Sequence, residues 1–196
     1  LPDGVVSGGF VHKPEDVIKA LTDLRLDLGA TYVKATLPEE KGYLFKTSVP
    51  KVDSANLHDA VEFTLEENAP VKAGDAVFDF VTLPQDQEED AAKTPVIVSV
   101  LPLKVVGTYC DMVEKAGFVP LALEIESQAI ASAVIAKSDP RTYLILSYDG
   151  IRGGFYIVSN GIVHFSSTEP IEESGLGAEV KRLQAYWQTT MSGSGM

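Results

Sequence analysis

Residues 141–168 read RTYLILSYDGIRGGFYIVSNGIVHFSST. Three apolar, β-rich runs stand out: Thr142–Tyr148, Phe155–Val158 and Ile162–Ser166. The last two are separated by Ser159-Asn160-Gly161, and Asn-Gly tolerates the positive φ that a tight primed hairpin turn requires. The first two are separated by Asp149-Gly150-Ile151-Arg152-Gly153-Gly154. A glycine-rich turn between buried strands lets backbone N–H groups approach an anion, often a phosphate. The same residues also suit a tight turn capped by the Asp149 side chain, with no ligand.

Outward from this stretch, the chain has 196 residues, 45% of them hydrophobic and 22% charged. That suits one globular domain or two small subdomains with a real core. No window approaches the ~18 continuous apolar residues that signal a membrane span. A basic, then apolar, signal segment is not visible at the start. The sequence opens at Leu1 and closes on Ser192-Gly193-Ser194-Gly195-Met196, which reads as a linker-like tail over 191–196. A single cysteine, Cys110, leaves no intramolecular disulfide to form and fits a reducing compartment. The net charge of −12 repels phosphate backbones, so nucleic acid is not expected as a partner, whereas a basic segment would be steered in.

Val5–Val11 reads as a strand bulged at Gly8-Gly9. Lys13–Leu28 reads as a helix with Pro14 in its first turn and Gly29 as its stop; Val17, Leu21, Leu24 and Leu28 should face the core. Thr31–Leu37 and Tyr43–Val49 read as two strands across the turn 38–42. Ser54–Asn68 reads as a helix carrying Leu57, Val61 and Leu65 on one face. Ala76–Leu83 alternates, with Val77 and Asp79 on one face and Phe78 and Phe80 on the other, which suggests one face buried and one wet. Pro84–Lys93 is an acidic loop. A strand over Pro95–Leu101 leads into a helix from Leu103 to Ala116, ended by Gly117. Phe118–Ile125 is a strand, Ser127–Ala136 a helix of small residues, and Gly177–Thr189 a last helix.

This ordered series resembles the actin-like ATPase superfamily, and within it the PilM family of type IV pilus assembly proteins, with the FtsA family more distant. Leu1–Leu21, Ser48–Phe80, Val96–Val134 and Arg141–Thr168 carry the resemblance. It implies an α/β, actin-like (ribonuclease H-like) mixed sheet with helices, plus a small inserted α+β subdomain. The expected division is 1–29 and 118–190 as first-domain core and 30–117 as the insertion. The first phosphate loop and the adenosine segment of such ATPases would lie outside this sequence.

By resemblance, the second phosphate loop begins with Asp, an apolar residue, then Gly. Here Ser147 falls at the Asp position and Asp149 at the Gly position. A hydroxyl is a poor partner for a hard divalent cation. If a nucleotide site is retained, its candidates are Asp149, Gly150, Gly153, Gly154 and Glu126. Glu126 sits where the superfamily places an acid facing metal-bound water, and it equally suits a helix N-terminus. No cofactor is expected in this chain; nucleotide binding with ATP and magnesium stays open for a longer parent. His12, His58 and His164 are scattered, so no metal site is expected. Cys110 reads as a buried, inert thiol mid-helix among apolar residues, and no catalytic residue is assigned.

The resemblance instead implies an adaptor at the cytoplasmic face of a bacterial inner membrane. It would bind a short cytoplasmic peptide of a PilN-like membrane partner in a groove between subdomain and main sheet, touching the membrane only through that partner. Tyr32, Tyr43 and Phe45 are the candidate peptide contacts. The rival expectations are an ATP-binding ATPase and an FtsA-like division protein that self-associates into filaments.

Overall fold

The computed structural model describes residues 1–84 and 90–192. The chain opens with a small hairpin, β1 (Val6–Ser7) and β2 (Phe10–Val11), turned by Gly8 and Gly9 at φ 51° and 73°. The expected single bulged strand is thus two strands, because adjacent left-handed glycines reverse the chain. Helix α1 (Pro14–Leu28) ends on Gly29 at φ 62°, as its sequence predicts. Its first half, Val17, Ile18 and Leu21, packs on Val5 and Met112. Leu24 and Leu28, expected in the core, are exposed: α1 outruns the helix it packs on, and Arg25 Nε donates to the Ala116 carbonyl there (3.0 Å).

Strand β3 (Tyr32–Leu37) and strand β4 (Tyr43–Pro50) do not pair with one another. A 3-10 turn at Glu39–Lys41 carries the chain between two sheets. β4 forms an antiparallel sheet in the order β4-β6-β5, with β5 at Ala76–Thr82 and β6 at Lys93–Pro102. One face of it buries Val49, Val96, Val98 and Val100 with Phe78 and Phe80 against Val61 and Leu65. The last two belong to α2 (Ser54–Glu62) and α3 (Leu65–Asn68), an expected single helix interrupted at Phe63 and Thr64. Helix α4 (Leu103–Lys115) follows β6, and Gly117 at φ 87° starts the return. Part of the expected acidic loop, residues 85–89, lies outside the described residues.

Strand β7 (Val119–Ile125) pairs in parallel with β3, across the expected boundary at residue 30. Helix α5 (Glu126–Val134) starts directly after it. Then come β8 (Thr142–Tyr148), β9 (Arg152–Ser159) and β10 (Ile162–Pro170), an antiparallel sheet in the order β10-β9-β8. Asn160 and Gly161, at φ 53° and 74°, make the anticipated two-residue turn, with Ser159 opposite Ile162. Ala131 of α5 sits on Tyr156, Val158 and Val163, where small side chains allow close approach. Helix α6 (Glu173–Ser192) runs through the first two residues expected as tail; residues 193–196 lie outside the described residues. No helix of the described residues is long and apolar enough to cross a membrane.

Candidate functional site

Two places collect the residues singled out above. The first is a cleft of about 550 Å³ between the β1–β2 hairpin, the 3-10 turn, the start of α5 and the start of β9. It lies off the C-terminal ends of the parallel pair β3 and β7, where open α/β sheets place their ligands. Gly9, Glu40, Tyr109, Glu126 and Arg152 line it.

Each group there already has an internal partner. Glu39 is buried: its Oε2 accepts the Ser127 backbone N–H (2.8 Å) and its Oε1 the Ser127 hydroxyl (3.0 Å). A carboxylate thus takes the positive end of α5, the place an incoming anion would use. Arg152 pairs with Glu40 and lies 3.6 Å from Asp149 Oδ2. Glu126, half-buried, accepts the Tyr156 hydroxyl (3.3 Å). Burial pushes its carboxyl above the usual range, Glu39 and Glu40 push further, and the Tyr156 hydrogen bond opposes them.

The glycine turn is equally committed. Asp149 Oδ1 accepts the backbone N–H groups of Arg152 (2.7 Å) and Ile151 (2.9 Å), and these bonds hold its carboxyl below the usual range. Asp149 therefore caps its own turn. Gly150 adopts φ 97°, a conformation suited to glycine. Ser147 stands opposite Gly154, and Tyr148 opposite Gly153, in the ladder. A Cβ on Gly154 would collide with the Tyr156 hydroxyl, and one on Gly153 would come within 2.8 Å of both Ile171 and Phe155. The space that these glycines leave is filled by the ring two residues along the same face, an aromatic packed over a strand glycine. One oxygen of Asp149 is thus engaged by the turn, its other oxygen faces the Arg152 guanidinium, and side chains cover the Cα face of both glycines.

The second place is a groove of about 560 Å³ between β4 and β10, closed at one end by α6. Both strands are edges of their sheets, so the groove runs between two open rows of backbone groups. Phe45, His164, Phe165, Tyr186 and Trp187 line it. The ladder of β10 shifts register between Val163 and Phe165, so His164 stands in a bulge. Its ring meets Trp187 edge-on at 5.5 Å, and Phe165 meets Tyr186 at 5.6 Å. Burial, then the nearby Lys46 charge, lowers the imidazole below its ordinary value. Of the three aromatics expected at a peptide site, Phe45 lines this groove. Tyr43 lies two residues before it on β4, and Tyr32 sits on the separate β3–β7 ladder.

The sequence reading missed Glu39, Glu40, Tyr156 and the α6 aromatics. Nothing local marks Glu39, whose partner is 88 residues away. Tyr186-Trp187 was a visible signal, being adjacent aromatics on a helix otherwise rich in polar residues. The histidines also hid a cluster: His58, Asp59 and Glu62 bring their ligand atoms within 4.8 Å of one another on α2, although no metal set was expected. Cys110 is partly exposed; desolvation and then the Glu114 carboxylate raise its thiol.

No protein-family model matches the chain, and no curated protein sequence does. Solved structures do. The chain is similar to a structure described as the PilM-PilN type IV pilus biogenesis complex, at TM-score 0.72 and 20% identity, covering 93% of this chain and 56% of that one. It is similar also to the cytoplasmic domain of EpsL, an inner-membrane component of the type II secretion system of Vibrio cholerae, at TM-score 0.54 and 15% identity, covering 78% of this chain and 56% of that one. The chain thus spans little over half the length of each. What the two likenesses establish is architecture: this chain has a PilM-like fold of the actin-like class, as the order of its elements suggested.

Proposed function

We propose that the chain is an adaptor of a type IV pilus or secretion-type assembly, working at the cytoplasmic face of an inner membrane. It grips an extended peptide from a PilN-like membrane partner in the groove between β4 and β10. The observation that carries this reading is the pair of facing strand edges, floored by Phe45 and Phe165 and walled by Trp187. An extended peptide bonds such an edge through its backbone and is selected by the pockets between the strands. The fold shared with a structure described as a PilM-PilN complex supports the choice of partner. The occupied α5 N-terminus and the roofed Gly153-Gly154 support a degenerate nucleotide site, so that the first cleft serves as frame. The division into a core and an inserted subdomain around β4-β6-β5 belongs to this same reading.

The test is fluorescence polarisation of a labelled synthetic peptide, the cytoplasmic N-terminus of a PilN protein, against the whole chain. Saturable binding is expected. Trp187→Ala and Phe165→Ala should each weaken it roughly tenfold or more, as aromatic anchors at a groove centre do. Absence of binding, or wild-type affinity in both variants, overturns the assignment.

A further inference from the structure

Away from both places, the α2–α3 face carries an aromatic with no packing role. Phe63, at the break between the two helices, is 85% exposed. A single exposed apolar side chain is ordinary. Its surroundings are not. Phe63 lies in a shallow hollow of about 580 Å³ lined with Asp59, Glu62, Glu66 and Ala73. Asp59 stands four residues before Phe63 on the same helical face, and Glu62 and Glu66 line the hollow with them, so three carboxylates share the hollow with one ring. Among the described residues, the lining includes no Lys or Arg.

The face opposite is the one that holds the subdomain together. Val61 and Leu65 are fully buried against the valines of β4 and β6, with Leu57 packed beside them. The helix pair is anchored by these residues, and Phe63 contributes nothing to that anchorage. Two of the acids are tied loosely: Glu66 accepts the Ala73 backbone N–H (3.1 Å), and Asp59 lies 3.9 Å from His58. A carboxylate has about four acceptor sites, so one such contact does not saturate either acid.

We infer that this hollow is a docking surface for an arginine-bearing segment of a partner protein, with one guanidinium laid on the Phe63 ring and held at its edge by Asp59 and Glu62. Charge complementarity selects the occupant. The chain carries a net −12, and the hollow concentrates acids around an aromatic face. Guanidinium is planar and weakly hydrated, stacks on aromatic rings and matches carboxylates with a fork of donors. Ammonium offers a compact, strongly hydrated charge and gains less from the ring. The hollow shares no lining residue with the β4–β10 groove, so the surface is separate from the proposed peptide site.

The experiment is a titration of the 15N-labelled chain with capped tetra-arginine and, separately, capped tetra-lysine in 150 mM salt, read by amide chemical shifts. Shifts should concentrate at residues 59–66 and 73, with tetra-arginine binding several-fold tighter than tetra-lysine. Phe63→Ala, which removes no core contact, should weaken tetra-arginine about two- to fivefold while leaving the rest of the spectrum in place. Glu62→Gln should weaken both peptides. Shifts spread evenly over the acidic surface, or an unchanged affinity in Phe63→Ala, overturn the proposal. It falls equally if zinc or magnesium chloride alone moves these resonances through His58 and displaces the peptide, which would make the cluster a cation site.

Discussion

Glu39 and Ser127 stand 88 residues apart in the chain, yet the Glu39 carboxylate takes both the backbone N–H and the hydroxyl of Ser127 at 2.8 and 3.0 Å. One side chain thereby caps α5, fixes the end of β3 beside the end of β7, and turns the chain toward β4. Removing it leaves a buried donor pair without an acceptor. Glu39→Ala should cost about 1–3 kcal/mol, the penalty for orphaning buried polar groups. Glu39→Gln, which keeps one good acceptor, should cost less. Urea unfolding followed by circular dichroism measures both; an unchanged midpoint in Glu39→Ala would remove the cap from the account.

Gly154 and Tyr156 share a face of β9, and the tyrosine ring lies where a Gly154 side chain would stand. Gly154→Ala therefore overpacks a buried site and should destabilise by about 1–3 kcal/mol. Tyr156→Phe in the same background removes the hydroxyl that the new methyl meets first. A double-mutant cycle should show the two changes less destabilising together than their sum. Strict additivity would mean that the ring does not roof the glycine.

What was legible in the sequence follows how locally each feature is encoded. The Asn160-Gly161 turn needs two left-handed residues in succession, and those residue types announce it. Gly29 ends α1 and Gly117 ends the turn after α4 for the same reason. That Phe78 and Phe80 share one face of β5 was legible because alternation is a property of the strand alone; that this face is the packed one came from the structure. Pairing was not legible. β3 and β4 read as neighbours across a short turn, yet Glu39 holds that turn against α5 and sends β3 to β7. Asp149 and Glu126 drew notice because each sits at a strand end; Glu126 lines the first cleft, and Asp149 stands beside Arg152 outside that lining. The fate of Asp149, bound into its own turn, depended on backbone geometry that composition does not carry. The α6 side of the groove escaped because Tyr186 and Trp187 meet β10 only in the folded chain.

Glu126 should make stability depend on pH in the opposite sense to an ordinary paired acid. Its folded carboxyl titrates above the usual range, chiefly through burial and then through Glu39 and Glu40. The folded state therefore holds this proton more tightly than the unfolded chain. The resulting stabilisation is complete below the ordinary carboxylate value and is lost as pH rises through the raised one. Glu126→Gln keeps an acceptor for Tyr156 and never ionises. It should melt at or above the wild-type temperature at pH 7, with the gap closing toward pH 4. A gap that widens as pH falls would assign the opposite sign.

The nucleotide question turns on what surrounds Asp149. Its Oδ1 serves two backbone N–H groups, and Oδ2, the oxygen left for a hydrated cation, lies 3.6 Å from the Arg152 guanidinium, whose positive charge opposes a cation there. The α5 N-terminus would also have to expel the Glu39 carboxylate to receive phosphate. The Arg152 charge and the Glu39 carboxylate each oppose a bound magnesium nucleotide. Magnesium-ATP at 1 mM is therefore expected to raise the melting temperature of this chain by less than about 1 °C, since a ligand stabilises only in proportion to its excess over Kd. Isothermal titration should give no heat of binding beyond dilution. Saturable heat with a micromolar Kd, abolished by Asp149→Ala, would mean that the turn opens and that the glycine loop still serves phosphate.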